Sequence, residues 1–348
     1  TSLGRGPRGL DMRGGFFGTI AQDPTLQSAR LIAEPWDVGP GGYQLGSYLN
    51  GWSEWNDRFR DTIRRFWRGD HGLRPEVARR LCGSSALYRP KGRSPEASIN
   101  YLCSHDGATL HDLVTYAHKR NDANGENNQD GHHDDLNIHL GGDGEDESLS
   151  PLRRRVQRSL LASLFLSRGG IMLLAGDEMG RTQLGNNNAY CQDNELSWVS
   201  WNDRSTHDEE LIDFVAQLGM LRKRFTPLSS SRWLTGERLE GEICRDLIWL
   251  ELNGEERQEN AWDLGDGLDL YYALAHQDYI LLVMMNASNE SKTFIFPKNI
   301  DGYLLNRVHW HMEINSEKVK GIGTETMPNE YQITVQEKTV LVWSLILP

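Results

Sequence analysis

Three short apolar runs, each followed by a carboxylate, decide the predicted fold: RLIAEPWD at residues 30–37, SINYLCSHD at 98–106 and IMLLAGDE at 171–178. The apolar part of each run is too short for a helix and has the length of a buried strand. Glu34, Asp106 and Asp177 therefore stand just beyond the carboxyl ends of three predicted strands.

Amphipathic helices lie between and after these strands. Apolar residues recur at helical spacing in three segments, residues 58–67, 151–167 and 207–225. Ser150 is a candidate N-cap for the second helix, and Thr206 with Glu209 is a candidate capping box for the third. Alternation of strands and helices predicts an α/β fold with a parallel sheet.

The pattern changes after about residue 227, where helical periods give way to short β-rich segments separated by turn residues. Strands are predicted at residues 247–252, 270–276, 279–286, 292–296, 308–312, 331–335 and 339–346. Such a series predicts an antiparallel β-sandwich. The chain is thus expected to divide into residues 1–226 and 227–348.

Composition excludes some classes of function. The 348 residues include 37 basic and 49 acidic side chains, a net charge of −12 that makes nucleic acid an unexpected partner. No apolar run approaches the ~20 residues of a membrane helix, and no signal peptide is recognisable at Thr1. The four cysteines form no Cys-x-x-Cys motif, so we expect reduced thiols in a cytoplasmic compartment.

The three carboxylates carry the chemical prediction. In a (β/α) barrel the carboxyl ends of the strands form the active-site face. Each carboxylate alone is better explained as a helix cap or turn residue, but three at one end favour a site. Converging carboxylates without a metal cage or a phosphate pocket favour glycoside hydrolysis. Aromatic residues in the same connections would suit the apolar faces of sugar rings: Trp36, Tyr43, Trp52, Trp55, Tyr190, Trp198 and Trp201.

Three other motifs are weaker. Gly4-x-Gly6-x-x-Gly9 matches a dinucleotide fingerprint but lacks a preceding strand, so a turn is predicted. The HHDD run at residues 132–135 lies in a polar loop without a second ligand cluster, so a solvated loop is predicted. The alternating acidic and amide residues at 122–130 have a misplaced glycine and lack the bidentate Glu of a calcium loop. No metal and no cofactor is predicted.

Longer motifs at the same positions resemble bacterial glycogen debranching enzymes of the isoamylase type, within the α-amylase superfamily. They are LIAEPWDVGPGGYQLG (31–46), SHDGATLHDLV (104–114), NDANGENNQDG (121–131), LLAGDEMGRTQLGNNNAYCQDNELSW (173–198) and LRKRF (221–225). The resemblance implies hydrolysis of α-1,6 branch linkages in glycogen or starch by a retaining mechanism. It also implies that the chain is the C-terminal half of a (β/α)8 TIM barrel followed by an all-β antiparallel sandwich domain. One further strand of this half-barrel is expected between Glu34 and Asp106, near residues 54–59.

Site residues follow from the resemblance position by position. Glu34 matches the general acid/base. Asp106 matches the carboxylate that stabilises the transition state, and His105 matches a histidine that binds the sugar. Trp36 and Asp37 flank Glu34 and are expected to shape the substrate site.

The resemblance also implies a missing part. The family's nucleophilic Asp stands on the fourth barrel strand, which would fall upstream of Thr1. We therefore expect the chain to be inactive alone, to need the N-terminal half of the same enzyme, and to act on branched α-glucan in the cytoplasm or in a plastid stroma. Two alternatives remain open, a non-catalytic glucan-binding or regulatory subunit and another amylase-superfamily activity.

Overall fold

The computed structural model describes residues 1–7, 9–138, 140–202, 204–305, 308–318 and 331–347. The first elements are two short antiparallel strands, β1 (Arg5–Gly6) and β2 (Gly9–Leu10). Gly6 and Gly9 of the Gly4-x-Gly6-x-x-Gly9 motif are paired across these two antiparallel strands, rather than lying between a strand and a helix.

A four-stranded parallel sheet follows, with the strands side by side in sequence order. Its strands are β3 (Leu31–Ala33), β4 (Trp52–Asn56), β5 (Ser98–Tyr101) and β6 (Gly170–Met172). The three strands predicted from the apolar runs are confirmed, and so is a fourth strand near residue 54. Helices join β4 to β5 and β5 to β6, whereas the described residues 34–51 join β3 to β4 without a helix. Parallel strands side by side in sequence order are the arrangement of half of a (β/α)8 barrel.

The helices are α1 (Gly15–Gln22), α2 (Asp57–Arg68), α3 (Arg74–Leu81), α4 (Ser85–Tyr88), α5 (Leu110–Thr115), α6 (Ser150–Leu166) and α7 (Thr206–Arg224). The three long predicted helices are α2, α6 and α7. None of these helices, nor any other in the described part of the chain, is long and apolar enough to cross a membrane.

Two predicted helix caps are wrong by one residue. The capping box of α7 joins Ser205 to Asp208, because Ser205 has the extended backbone that an N-cap needs. Its hydroxyl accepts from the Asp208 amide at 3.3 Å, and the Asp208 carboxylate accepts from the Ser205 amide at 2.7 Å. The N-cap of α6 is Leu149, which offers no side-chain bond.

The C-terminal strands build a sandwich. They are β7 (Leu247–Leu250), β8 (Asp269–His276), β9 (Tyr279–Asn286), β10 (Lys292–Ile295), β11 (Asn299–Ile300), β12 (Tyr303–Leu304), β13 (His311–Asn315), β14 (Gln332–Val335) and β15 (Thr339–Ile346). Five of them form an antiparallel sheet in the order β13-β15-β9-β8-β7, and β10 pairs with β14. The strand predicted at residues 308–312 begins three residues later, at His311.

Alternate residues of the five-stranded sheet serve two cores, as the period of two requires. On β8, Leu270 and Tyr272 pack with the apolar faces of α2, α6 and α7. Tyr271 and Ala273 face the other way and pack with Phe294 of β10. The sheet therefore continues the core of the half-barrel while covering a second core of its own.

Buried charges also join the two halves. Arg74 of α3 donates from Nε to the Asp269 carbonyl and from Nη2 to its carboxylate, both at 2.9 Å. Both side chains are nearly fully buried. Lys338 donates to the carbonyls of Trp67, at 2.9 Å, and Ala287, at 2.7 Å. Burial lowers the pKa of this lysine to about 8.

Candidate active site

Glu34 directly follows β3 and is exposed at the carboxyl end of the parallel sheet. Its neighbours on either side, Ala33 and Pro35, are buried, so the backbone around Glu34 is fixed by packing while the carboxylate reaches solvent. The Pro35 carbonyl also accepts from the Gln44 amide at 2.7 Å. Trp36 is half-buried beside it.

Asp37 has a partner in the first hairpin. Its carboxylate accepts from both Nε, at 2.8 Å, and Nη2 of Arg5, and from the Gly39 amide at 2.8 Å. The Arg5 hydrogen bond is the main cause that lowers the pKa of this carboxyl. Arg5 also donates to the Pro40 carbonyl at 3.1 Å. Asp37 is thus an ionised group that closes the loop after Glu34.

His105 and Asp106 stand beyond the end of β5 and reach into solvent. Their side chains are 62% and 55% exposed, and His105 Nε2 lies 3.5 Å from Asp106 Oδ2. The indole of Trp55, on β4, meets the His105 ring edge to face at 5.9 Å between centroids. The pair is therefore supported from one side by an aromatic ring and open to solvent on the other.

The third carboxylate of the sequence pattern has a different position. Asp177 is 1% exposed, and its Oδ1 accepts from the amide of Leu110, the first residue of α5, at 3.0 Å. Burial raises the pKa of this carboxyl to about 7. Asp177 therefore satisfies the start of a helix, and only Glu34 and Asp106 of the three carboxylates are open to a ligand.

The sheet order fixes how far apart these two carboxylates stand. Glu34 follows β3 and Asp106 follows β5, with β4 between them. Neighbouring strands are ~4.8 Å apart, so their carboxyl ends lie on the order of 10 Å from one another. Both carboxylates follow the same end of a parallel sheet, and a sugar ring fits between groups at this spacing.

The aromatic residues divide into structural and accessible ones. Trp52 packs in a buried cluster with Phe17 and Tyr48, at 5.7 Å between centroids in each case. Trp198, Trp201 and Tyr190, in the long loop between β6 and α7, are each more than half exposed. The second group offers flat faces to solvent, as sugar binding requires.

Sequence reasoning missed the residues that connect two long loops, one between α5 and α6 and the other between β6 and α7. Asn187 and Asn121 exchange two hydrogen bonds, Asn121 Nδ2 to Asn187 Oδ1 at 2.8 Å and the Asn187 amide to Asn121 Oδ1 at 2.9 Å. Asn124 and Asn188 both donate to the Asp130 carboxylate. The asparagine-rich composition of both loops was the available signal, since such side chains can both donate and accept.

The HHDD run lines a cleft of about 310 Å³ together with Lys119 and Asn187. His133 Nδ1 lies 3.5 Å from the Lys119 ammonium. Over the described residues, no group of three or more His, Cys, Asp or Glu side chains could hold a metal ion.

Comparison with known proteins places these motifs in context. The chain is 38% identical to the glycogen operon protein GlgX homolog of Mycobacterium tuberculosis (strain ATCC 25618 / H37Rv), over 98% of this chain and 49% of that protein. It is 42% identical to the glycogen debranching enzyme of Yersinia enterocolitica, over 84% of this chain and 42% of that protein. No protein-family model matches the chain.

Among solved structures, the pullulanase from Bacillus acidopullulyticus superposes with a TM-score of 0.64 at 18% identity, covering 92% of this chain and 34% of that one. Pullulanase type I from Bacillus subtilis, complexed with maltose, gives 0.64 at 19% identity over 95% of this chain and 41% of that one. These likenesses confirm the predicted fold, a partial barrel with a β-sandwich. The chain spans about half the length of the curated relatives it matches, and its resemblance to glycogen debranching enzymes is confirmed across that half.

Proposed function

We propose that this chain is the part of a glycogen debranching enzyme that carries the general acid/base, and that the whole enzyme hydrolyses α-1,6 branch linkages of glycogen-like glucans. The observation that carries the proposal is the placement of Glu34 and Asp106. Both carboxylates are exposed at the same end of one parallel sheet, beyond strands separated by a single strand. The names of the relatives support the substrate class.

Each residue has a role in this proposal. Glu34 protonates the departing O6 of the branch point and then removes a proton from the incoming water. Asp106 stabilises positive charge on the sugar ring, and His105 donates to its hydroxyls. Trp36 lines the site beside Glu34, and Asp37 shapes it through its ion pair with Arg5.

A retaining reaction also needs a nucleophilic carboxylate. Asp37 is occupied by Arg5, and Asp177 is buried against the α5 amide. Among the described residues, neither of these carboxylates is free to attack a sugar held between Glu34 and Asp106. We propose that the nucleophile comes from a part of the enzyme outside these 348 residues, its N-terminal half.

The setting of the reaction is also a proposal. The partner is a branched α-glucan, and the compartment is the bacterial cytoplasm or a plastid stroma. The domain boundary is proposed between residues 226 and 227, in the stretch between the end of α7 at Arg224 and the start of β7 at Leu247.

The test compares the complete gene product that carries this chain with the isolated 348 residues. We expect the complete product to release linear chains from limit dextrin while leaving linear α-1,4 maltooligosaccharides intact. We expect the isolated chain to be retarded in a glycogen-containing gel without any turnover.

Each other outcome has a definite meaning. Cleavage of α-1,4 bonds alone by the complete product would replace branch hydrolysis with another amylase-type reaction. Glucan binding by the complete product without hydrolysis would replace the enzyme with a binding or regulatory subunit. Turnover by the isolated chain would show that its nucleophile lies within these residues.

A further inference from the structure

The His105–Asp106 pair lies in a short segment, residues 102–107, whose two ends are held by hydrogen bonds to other parts of the chain. At the first end, Arg64 of α2 donates to the Leu102 carbonyl from Nε at 3.0 Å and from Nη2 at 2.6 Å. At the other end, the amide of Gly107 donates to the Asn187 carbonyl at 2.9 Å. The two exposed side chains thus project from a segment whose limits are set by other elements.

Asn187 is buried, with 3% of its surface exposed, and its polar groups have partners on three segments. Its Nδ2 donates to the His132 carbonyl at 2.9 Å and to the Asp135 carboxylate. Its side-chain oxygen accepts from Asn121 Nδ2, and its backbone N–H donates to Asn121 Oδ1. A buried side-chain carboxamide with all these partners has one permitted orientation, because each lost bond would leave a polar group unpaired.

Asp135 connects the two ends of the segment. Its carboxylate accepts from Asn187, and its carbonyl accepts from Nη1 of Arg64. Gly107 has a φ of +125°, and a Cβ there would lie 3.2 Å from the Asp135 carboxylate. Arg64, Asp135 and Asn187 therefore form a closed set of hydrogen bonds around residues 102–107, which we call the Asn187 frame.

We propose that Asn187 is a positioning residue for the sugar-binding pair His105–Asp106, acting through the Gly107 amide and the Asp135 carboxylate. The proposal deepens the proposed function, since it takes the pair to be the sugar-binding part of that site. Exposed side chains are poorly fixed by their own contacts, and a site must be positioned to within ~0.5 Å. The Asn187 frame fixes the backbone of residues 102–107 by hydrogen bonds to Leu102 and Gly107, and leaves the exposed His105 and Asp106 side chains to contact the sugar.

The test exchanges donor and acceptor within one hydrogen bond. Asn187→Asp removes the Nδ2 donor and places two carboxylates against each other, so the frame should open. The double variant Asn187→Asp with Asp135→Asn restores a donor opposite an acceptor and keeps the native net charge. Asn127→Asp makes the same chemical change at an exposed residue outside the frame.

Two readouts on the isolated chain decide the proposal, hydrogen exchange at residues 104–108 and affinity for maltohexaose. In Asn187→Asp we expect at least tenfold faster exchange at residues 104–108 and at least tenfold weaker binding of maltohexaose. The denaturant midpoint for unfolding of the whole chain should equal that of the native chain. The double variant should move both values at least threefold back toward those of the native chain, although the His132 carbonyl still lacks its donor, and Asn127→Asp should change neither. Native exchange in Asn187→Asp, or no rescue in the double variant, would overturn the proposal.

Two further outcomes remain decisive. If Asn187→Asp does not fold, the single variant Asp135→Asn replaces it, because a neutral acceptor weakens the hydrogen bond from Asn187. Hydrogen exchange at residues 104–108 should then be about two- to fivefold faster than in the native chain. Unchanged exchange would overturn the proposal. If the native chain does not bind maltohexaose, glucan binding by this chain fails, while the exchange data still decide whether Asn187 orders the segment.

Discussion

Replacing Asp177 with asparagine tests whether this carboxylate is structural, as its burial indicates. Asparagine keeps an oxygen for the Leu110 amide, 3.0 Å away in the native protein, but carries no charge. The buried carboxyl has a pKa of about 7, raised by desolvation from an ordinary value of 3.8. Between these two values the folded state binds more protons than the unfolded state, so native stability falls as the pH rises through this window.

The size of the effect follows from the two pKa values. At about 1.4 kcal/mol for each pKa unit, the whole difference corresponds to about 4 kcal/mol, of which about 2.5 kcal/mol falls between pH 5 and pH 8. The asparagine variant lacks this contribution. We therefore expect Asp177→Asn to gain about 2.5 kcal/mol of stability relative to the native chain over that interval.

Urea unfolding of both proteins at pH 5, 6, 7 and 8 measures this difference. Other titrating groups are common to the two proteins and cancel in the comparison. A free-energy difference that stays constant with pH would refute the buried, proton-binding carboxyl. A loss of glucan binding in Asp177→Asn at unchanged stability would place this residue in the site instead.

Two other substitutions test the joins between elements. Asp269→Ala should lower the free energy of unfolding in urea by about 3–5 kcal/mol, because it leaves the buried Arg74 guanidinium without a carboxylate. Asp266→Ala, at a more exposed carboxylate, should lower it by under about 1 kcal/mol. Equal costs would contradict the buried pair. Gly131→Ala and Gly141→Ala both add a Cβ at positive φ, but only the first meets an atom, the Asn187 side-chain oxygen at 2.4 Å. We expect Gly131→Ala to cost about 1–3 kcal/mol more than Gly141→Ala, and equal melting temperatures would show that the loops are not locked together.

Local patterns predicted the strands of the parallel sheet and the helices α2, α6 and α7, but not α1, α3, α4 or α5. The apolar runs before Glu34 and Asp106 had strand length, and α6 and α7 showed helical period, so each was predictable within a few residues. The cap of α7 was missed by one residue, because Ser205 and Thr206 are equally good caps by composition. Only the backbone conformation distinguishes them.

The electrostatic state of the carboxylates could not be read from the sequence. Asp37 and Asp177 follow strands just as Glu34 and Asp106 do, but their partners Arg5 and Leu110 are 32 and 67 residues away along the chain. Pairings at such separation depend on how the strands are ordered in the sheet. Burial, which raises the pKa of Asp177, is likewise a property of the assembled fold.

The asparagine loops show the same limit. Their composition indicated hydrogen bonding, and the resemblance drew attention to both motifs. That Asn187 would donate to Asp135 and accept from Gly107 depends on two loops meeting beside β5. The sequence therefore predicted the exposed pair at residues 105–106 but not the buried residues that order it.

The central claim, that Glu34 is the general acid/base, is tested most directly by Glu34→Gln in the complete gene product. The control is Glu178→Gln, the same change at a carboxylate after β6 that bonds the Gly176 amide at 2.9 Å. Release of linear chains from limit dextrin is the measurement, with binding of the dextrin measured alongside. We expect Glu34→Gln to lower the hydrolysis rate at least about 100-fold with binding retained, and Glu178→Gln to remain within about threefold of the native rate. A Glu34→Gln enzyme that hydrolyses branches within tenfold of the native rate would contradict the claim.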